Sequence, residues 1–203
     1  MTTVEALRRD SRIARLEAVL NSRIAVEVNE VSARRAAVAI IIRPASNNEP
    51  EVLFIQRADY PADPWSGHVA FPGGREEAGD DSLATTAVRE TREETGIDLA
   101  AGALLLGTLN DLRPQSARLP KVVVRPFVYL ASGTTEATPG EEAPVSFWVP
   151  LDVLMDRSFW RDADVMASGI SMRKPGFHHG QYVVWGMTER ILAEFVEVFA
   201  PAS

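Results

Sequence analysis

Glu90, Glu93 and Glu94 are the residues whose type and spacing can do chemistry. On a helix of about 3.6 residues per turn, positions three and four apart return to one face, so the three carboxylates share a narrow stripe. The helix is predicted from about Ser82 to Thr95, with Asp80 or Asp81 as its N-cap and Gly96 as its stop residue. Leu83, Ala84, Ala87, Val88 and Thr91 make the neighbouring stripe, suited to packing on a sheet. Arg89 and Arg92 fall on other faces, which leaves the carboxylates without an obvious (i, i+4) cation. Carboxylates this crowded repel unless a cation sits among them. Clustered hard oxygen ligands suit Mg2+ or Mn2+, with phosphates completing the shell. A charge-laced surface helix would account for the charges alone, and the flanking residues decide between the two.

Those residues read FPGGREEAGDDSLATTAVRETREETGI over Phe71–Ile97. The ordered set Gly74, Arg89, Glu90, Glu93, Glu94, Gly96 and Ile97 resembles the Nudix box of the Nudix hydrolases. Three positions depart from that pattern: Asp80 stands for the first Glu, Thr91 replaces an aliphatic residue, and the gap from the acid to Arg89 is one residue longer. The longer gap and the FPGG run resemble the coenzyme A pyrophosphatase branch. The resemblance covers roughly residues 35–199 and implies an α/β Nudix fold, a mixed β-sheet sandwiched between α-helices.

The reaction it implies is hydrolysis of a diphosphate linkage by attack of an activated water on phosphorus. Glu90, Glu93, Glu94 and the carbonyl of Gly73 are then the expected ligands of Mg2+ or Mn2+, and Arg89 the residue that holds a box Glu in place. Glu90 or Glu142 is the expected proton acceptor. Glu142 enters because the run from Glu142 to Pro150 is similar to a Glu-Val…Trp-x-Pro pattern on a late loop of many Nudix proteins. Coenzyme A or acyl-coenzyme A is the leading expected substrate, followed by ADP-ribose or another nucleoside-diphosphate sugar. In the segment before FPGG, Arg57 remains, but that branch's other basic positions are replaced by Asp63, Pro64 and Trp65. A non-catalytic nucleotide-sensing module would carry a damaged carboxylate stripe. An isomerase of diphosphate esters would need a cysteine, which this chain lacks.

The rest of the chain must position these groups. Its 203 residues suit one domain, residues 31–203, preceded by a helical extension, residues 1–30. A net charge of −7 argues against a nucleic-acid surface, and the absence of cysteine excludes disulfides and thiolate chemistry. The longest wholly apolar run, Ala36–Ile42, is too short to span a bilayer, so a cytoplasmic location is expected with a small-molecule diphosphate as partner. In the extension, Thr2 and Glu5 have capping-box spacing, Val4, Leu7, Ala14 and Val19 share a side, and Arg8, Arg9, Arg12 and Arg15 face water. It is either a homodimer arm or lid, or a helix packed on its own domain.

Strands are predicted at Arg35–Arg43, Glu51–Arg57, Val69–Phe71, Leu104–Leu109, Lys121–Leu130 and Val145–Val149. Arg57 ends the second of these and is a candidate phosphate contact. Arg113 and Arg118, on the loop Asn110–Pro120, are candidate phosphate or ribose contacts. Trp65 suits either a base or a hydrophobic plug, His68 a structural role, and the pair His178 and His179 an exposed loop. A short helix near Leu151–Met155 and an amphipathic helix Trp185–Phe199 close the chain, the latter with Glu189, Arg190, Glu194 and Glu197 toward water. The latter's Trp-Gly-x-Thr-x-x-Ile-Leu order is similar to the C-terminal segment of coenzyme A pyrophosphatases.

Overall fold

The aliphatic run at Ala36–Ile42 becomes the spine of a mixed sheet. In the computed structural model, which describes residues 3–60, 65–114, 120–167 and 170–200, it lies within β1 (Arg34–Pro44). Ala37, Ala39, Ile40, Ile41 and Ile42 are fully buried there, as a strand covered on both faces requires. β1 pairs antiparallel with β2 (Pro50–Gln56) at Ile42–Pro44 and parallel with β6 (Val122–Leu130) from Arg34 to Ile42. β3 (Val69–Ala70) and β7 (Val145–Pro150) both pair with β2, and β5 (Leu104–Thr108) pairs with β6.

One strand was not expected. Gly73–Arg75, where the sequence predicts no strand, forms β4 and pairs antiparallel with Ala36–Val38 of β1. Gly73 has φ +152, and a Cβ there would collide with the Ala37 carbonyl and the Val38 Cα. Only glycine lets the two backbones approach this closely.

Helices cover both faces of the sheet. On one face α3 (Leu83–Thr95) lays Leu83 and Ala87 against Ala37, Ala39, Ile41 and Phe127. On the other, α2 (Ser11–Ser22) and α5 (Gly186–Phe199) pack Leu16, Leu20, Leu192 and Phe195 against Ile40, Ile42, Val124 and Val128. The mixed sheet between helices is therefore the architecture the sequence led us to expect. No helix of the described residues is long and apolar enough to cross a membrane.

The N-terminal segment is two helices rather than one, α1 (Val4–Arg8) and α2, broken at Arg9–Asp10. Thr3 caps the first through the amide of Ala6, and Asp10 caps the second through that of Arg12; Thr2 lies outside the described residues. The buried side is Leu7, Ile13, Leu16 and Leu20, whereas Ala14 is exposed. These side chains join the main core of the same chain, and Arg23 pairs with Glu194 of α5 at 2.5 Å, so Glu194 turns inward rather than to water. Leu16 has no solvent exposure. We expect Leu16→Ala to lower the unfolding free energy by about 2–5 kcal/mol in urea titrations, the usual cost of a buried cavity.

After β7 the short helix forms where it was expected, and the stretch beyond it is more regular strand than expected. Beyond α4 (Leu151–Met155) and a 3-10 turn at Arg157–Phe159, a second antiparallel sheet forms from β8 (Trp160–Ala167), β9 (Ile170–His179) and β10 (Tyr182–Trp185). His178 and His179 belong to β9 and not to an exposed loop: His178 Nε2 lies 3.2 Å from the Arg161 carbonyl, and the His179 ring stands near Phe147.

Candidate active site

α3 begins just past the acids that precede it. Ser82, not Asp80 or Asp81, is the N-cap, accepting from the Thr85 amide at 3.2 Å, and Gly96 closes the helix in the left-handed conformation at φ 71. Asp80 is instead held by Arg89. Nε and Nη2 of Arg89 donate to its two oxygens at 3.1 and 3.0 Å, while the Thr86 hydroxyl and the Glu77 amide donate as well. This fork drives the Asp80 carboxyl far below the usual range, chiefly through the Arg89 bonds.

Arg89 also corrects the expectation that the stripe lacks a cation. Its Nη1 donates to Glu90 Oε1 and to Glu93 Oε2, each at 3.0 Å, the second an (i, i+4) pair, and Nη2 donates to the Arg75 carbonyl at 2.9 Å. One guanidinium thus ties the loop acid, two stripe acids and β4 together.

The stripe divides between two environments. Glu90 and Glu94 line a cavity of about 600 Å³, while Glu93, 57% exposed, faces a separate recess beside Arg92 and Asp98. Glu94 is 2% exposed and accepts the Gly73 amide at 2.8 Å, with Arg57 Nη1 3.8 Å from its other oxygen. Burial pushes its carboxyl up to about 7, against the opposing pull of Gly73 and Arg57, and the nearby Glu90 and Glu142 push it the same way as burial. Glu90 is raised too, mainly by burial and despite Arg89. A Cβ on Gly74 would strike the Glu90 carboxylate, so the glycine makes room for it.

Glu142 reaches the same cavity from the loop before β7. The Thr138 amide donates to the Thr95 carbonyl at 2.7 Å, tying this loop to the end of α3. The Ala58 amide donates to the Glu142 carbonyl at 2.8 Å, setting it beside Arg57. Arg57, Trp65 and His68 line the cavity as well, whereas Asp63 and Pro64 lie outside the described residues. Arg113 does not reach it: 68% exposed, it stands 3.7 Å from Glu30, and its carbonyl is held by Arg190. Arg118 lies outside the described residues.

Glu90, Glu94 and Glu142 line one cavity, where Glu142 adds to the raised proton affinity of the other two, and hard oxygen donors of this kind suit a divalent cation. Among the described residues no three His, Cys, Asp or Glu side chains stand together as a ready-made metal site.

Sequence reasoning did not assign a role to Trp185, Met187, Thr188 and Ile191, which line the same cavity. The signal was the spacing of Trp185, Thr188 and Ile191, three residues apart on one side of a helix start.

The NUDIX domain family matches residues 33–168. Nudix hydrolase NudL of Yersinia pestis (strain Pestoides F) is 33% identical over 167 residues, covering 81% of this chain and 79% of that protein. NudL of Yersinia pseudotuberculosis serotype I (strain IP 32953) gives the same figures. Among solved structures, a MutT/nudix family protein from Enterococcus faecalis superposes with a TM-score of 0.53 at 19% identity, covering 96% of this chain and 72% of that one. That last likeness is one of fold.

Proposed function

Since the chain belongs to the Nudix family and its relatives are Nudix hydrolases, we propose that it hydrolyses a diphosphate linkage in a nucleoside diphosphate derivative with a divalent metal. The observation that carries this is the convergence of Glu90, Glu94, Glu142 and Arg57 on one cavity large enough for a small ligand. Glu90, Glu94 and the Gly73 carbonyl, which line that cavity, would hold Mg2+ or Mn2+, whereas Glu93, expected with them, faces the separate recess. When bound, such an ion neutralises charge on the phosphoryl group and lowers the pKa of water beside it.

The chain's own groups do the rest. Arg57, at the end of β2, faces the phosphates and offsets their charge. Water attacks phosphorus, its proton passes to Glu142 or Glu90, and the bond from phosphorus to the bridging oxygen breaks to leave two phosphate monoesters. Arg89 fixes Glu90, and the Gly73 amide fixes Glu94, so neither must be ordered during the reaction. Residues 31–203 carry this chemistry in our reading, with residues 1–30 an extension that stabilises it.

Coenzyme A or acyl-coenzyme A is the substrate we place first, on the FPGG run, the longer box gap and the C-terminal Trp-Gly-x-Thr order. The deciding experiment is a hydrolysis screen with Mg2+ or Mn2+ over coenzyme A, ADP-ribose, NADH, dinucleoside polyphosphates and nucleoside triphosphates, with products identified by mass. We expect cleavage of coenzyme A at its diphosphate into phosphopantetheine and adenosine 3′,5′-bisphosphate, abolished by excess chelator. Cleavage undiminished in chelator, or no diphosphate cleaved with either metal, would sink the reading. Removing the 3′-phosphate of coenzyme A should lower kcat/KM roughly tenfold if a charge-assisted contact reads it. Equal rates on the dephospho form would move the assignment to ADP-ribose or another nucleoside diphosphate.

A further inference from the structure

Trp185, Thr188 and Ile191 lie outside the residues that match the family, 33–168, yet they complete the cavity that holds Glu90 and Glu94. The second sheet delivers them. β10 ends at Trp185, Gly186 turns the chain at φ 69, and α5 starts with Met187 and Thr188 facing the same space. His68, just before β3, braces the indole of Trp185 with ring centroids 4.3 Å apart at 53°.

The cavity is divided chemically. Its charged residues are Arg57 and Arg75 with Glu90, Glu94 and Glu142. The part built by Trp65, His68, Trp185, Met187, Thr188 and Ile191 offers rings with their nitrogens, aliphatic surface and one hydroxyl, and Tyr60 adds a second hydroxyl to the same cavity. A sugar bound there would lack partners for most of its hydroxyls, and a chain of amides would lose its hydrogen bonds to water without replacement. A flat heteroaromatic ring has the opposite profile: two faces that stack on indole and a few edge groups that one hydroxyl can meet.

We propose that Trp185, with Thr188 and Ile191, forms the specificity surface for the nucleobase of the substrate, with the base stacked on the Trp185 indole and the Thr188 hydroxyl at its edge. This rests on the diphosphate-hydrolase reading for the identity of the substrate, but its test does not. The full-length protein, without added metal, is titrated by calorimetry with adenosine, guanosine, cytidine, uridine and ribose. At least one nucleoside should bind tenfold or more tightly than ribose. Trp185→Ala should erase that preference, and Trp185→Phe should keep most of it. Thr188→Leu, a half-buried position on the first turn of α5, serves if Trp185→Ala fails to fold, and should weaken nucleoside binding about tenfold. In hydrolysis, Trp185→Ala should raise KM far more than it lowers kcat.

No nucleoside bound better than ribose, or a preference unchanged in Trp185→Ala and Thr188→Leu, overturns the inference even if hydrolysis is robust. A nucleoside preference that depends on Trp185, in a protein that cleaves no diphosphate, upholds the surface and removes the hydrolase reading alone.

Discussion

Glu94→Gln is expected to lower turnover by two or more orders of magnitude while leaving a protein that is more stable in chelator than the parent. The activity loss follows from removing one ligand charge with shape retained. The stability gain follows from burial. At 2% exposure, Glu94 ionises only with difficulty, and its carboxyl is pushed up to about 7. The sign is fixed by linkage. Below about pH 4.5 the group is protonated whether folded or unfolded, and it contributes nothing. Between about 4.5 and 7 the unfolded chain releases the proton first, so stability falls as pH rises, and above 7 the penalty is constant. At about 1.4 kcal/mol per pKa unit the penalty is about 3 kcal/mol at pH 8. The amide keeps the size of the group and can still accept from Gly73, but Arg57 loses a charged neighbour, so a gain of about 1–3 kcal/mol is expected. Thermal unfolding in chelator at pH 5 and pH 8 measures it, as several degrees in Tm at pH 8 and little at pH 5. A parent protein whose stability is level across that range, or a fully active Glu94→Gln enzyme, contradicts the site described above.

Arg89→Ala should act in the opposite direction, costing about 3–5 kcal/mol at pH 7 and most of the activity. Asp80, at 4% exposure, would be left as a buried carboxylate without its guanidinium. Glu90 would lose the bond that fixes its orientation, and β4 the donor to the Arg75 carbonyl. Arg89→Lys should recover little, because one ammonium cannot reach both oxygens of Asp80 and the stripe at once. The pH dependence is diagnostic. The Asp80 carboxyl is depressed in the folded protein, so its contribution is present above about pH 4 and lost as pH falls toward its folded value. The gap between parent and Arg89→Ala should therefore narrow in strong acid. Urea titrations at pH 7 and pH 3 test this, and a difference under about 1 kcal/mol at pH 7 would show that the network is ornamental.

The carboxylate stripe was legible because helical spacing alone sets it, and β1 because a continuous aliphatic run has few other fates. What escaped was set by reach and by neighbours. Arg89 stands four residues before Glu93, so spacing alone pairs them, a pairing that expectation passed over; only the reach back to Asp80 was not legible. That capture is also why Asp80 does not cap α3 and Ser82 does. β4 is two glycines and an arginine, with no alternation to read. The first six residues of β9 are exposed or half-exposed on both faces, so that part of its sequence carries no period of two. Thr91, which departs from the box pattern, is fully buried where an aliphatic residue is expected, and its hydroxyl has no hydrogen-bond partner among the described residues. The position demands volume, and threonine supplies it at the cost of a polar atom. Arg113 was a plausible contact by loop position, yet Glu30 and the grip of Arg190 on its carbonyl hold it elsewhere.

The parallel pairing of β1 with β6 has a consequence for how the protein is made. Every residue of β2 to β5 and the whole of α3 lies between these two strands in the chain. During synthesis the catalytic helix emerges while β1, its packing surface, still lacks its longest partner. Closing so large a loop costs entropy before any contact rewards it, so formation of the sheet is governed by this distant pairing and not by the quick local helices. Until β6 arrives, an aliphatic edge stands open to other chains, and α5, the last wall of the cavity, is not yet translated. Slow completion of the sheet, with that edge open in the nascent state, is the expected outcome of the topology of this one strand.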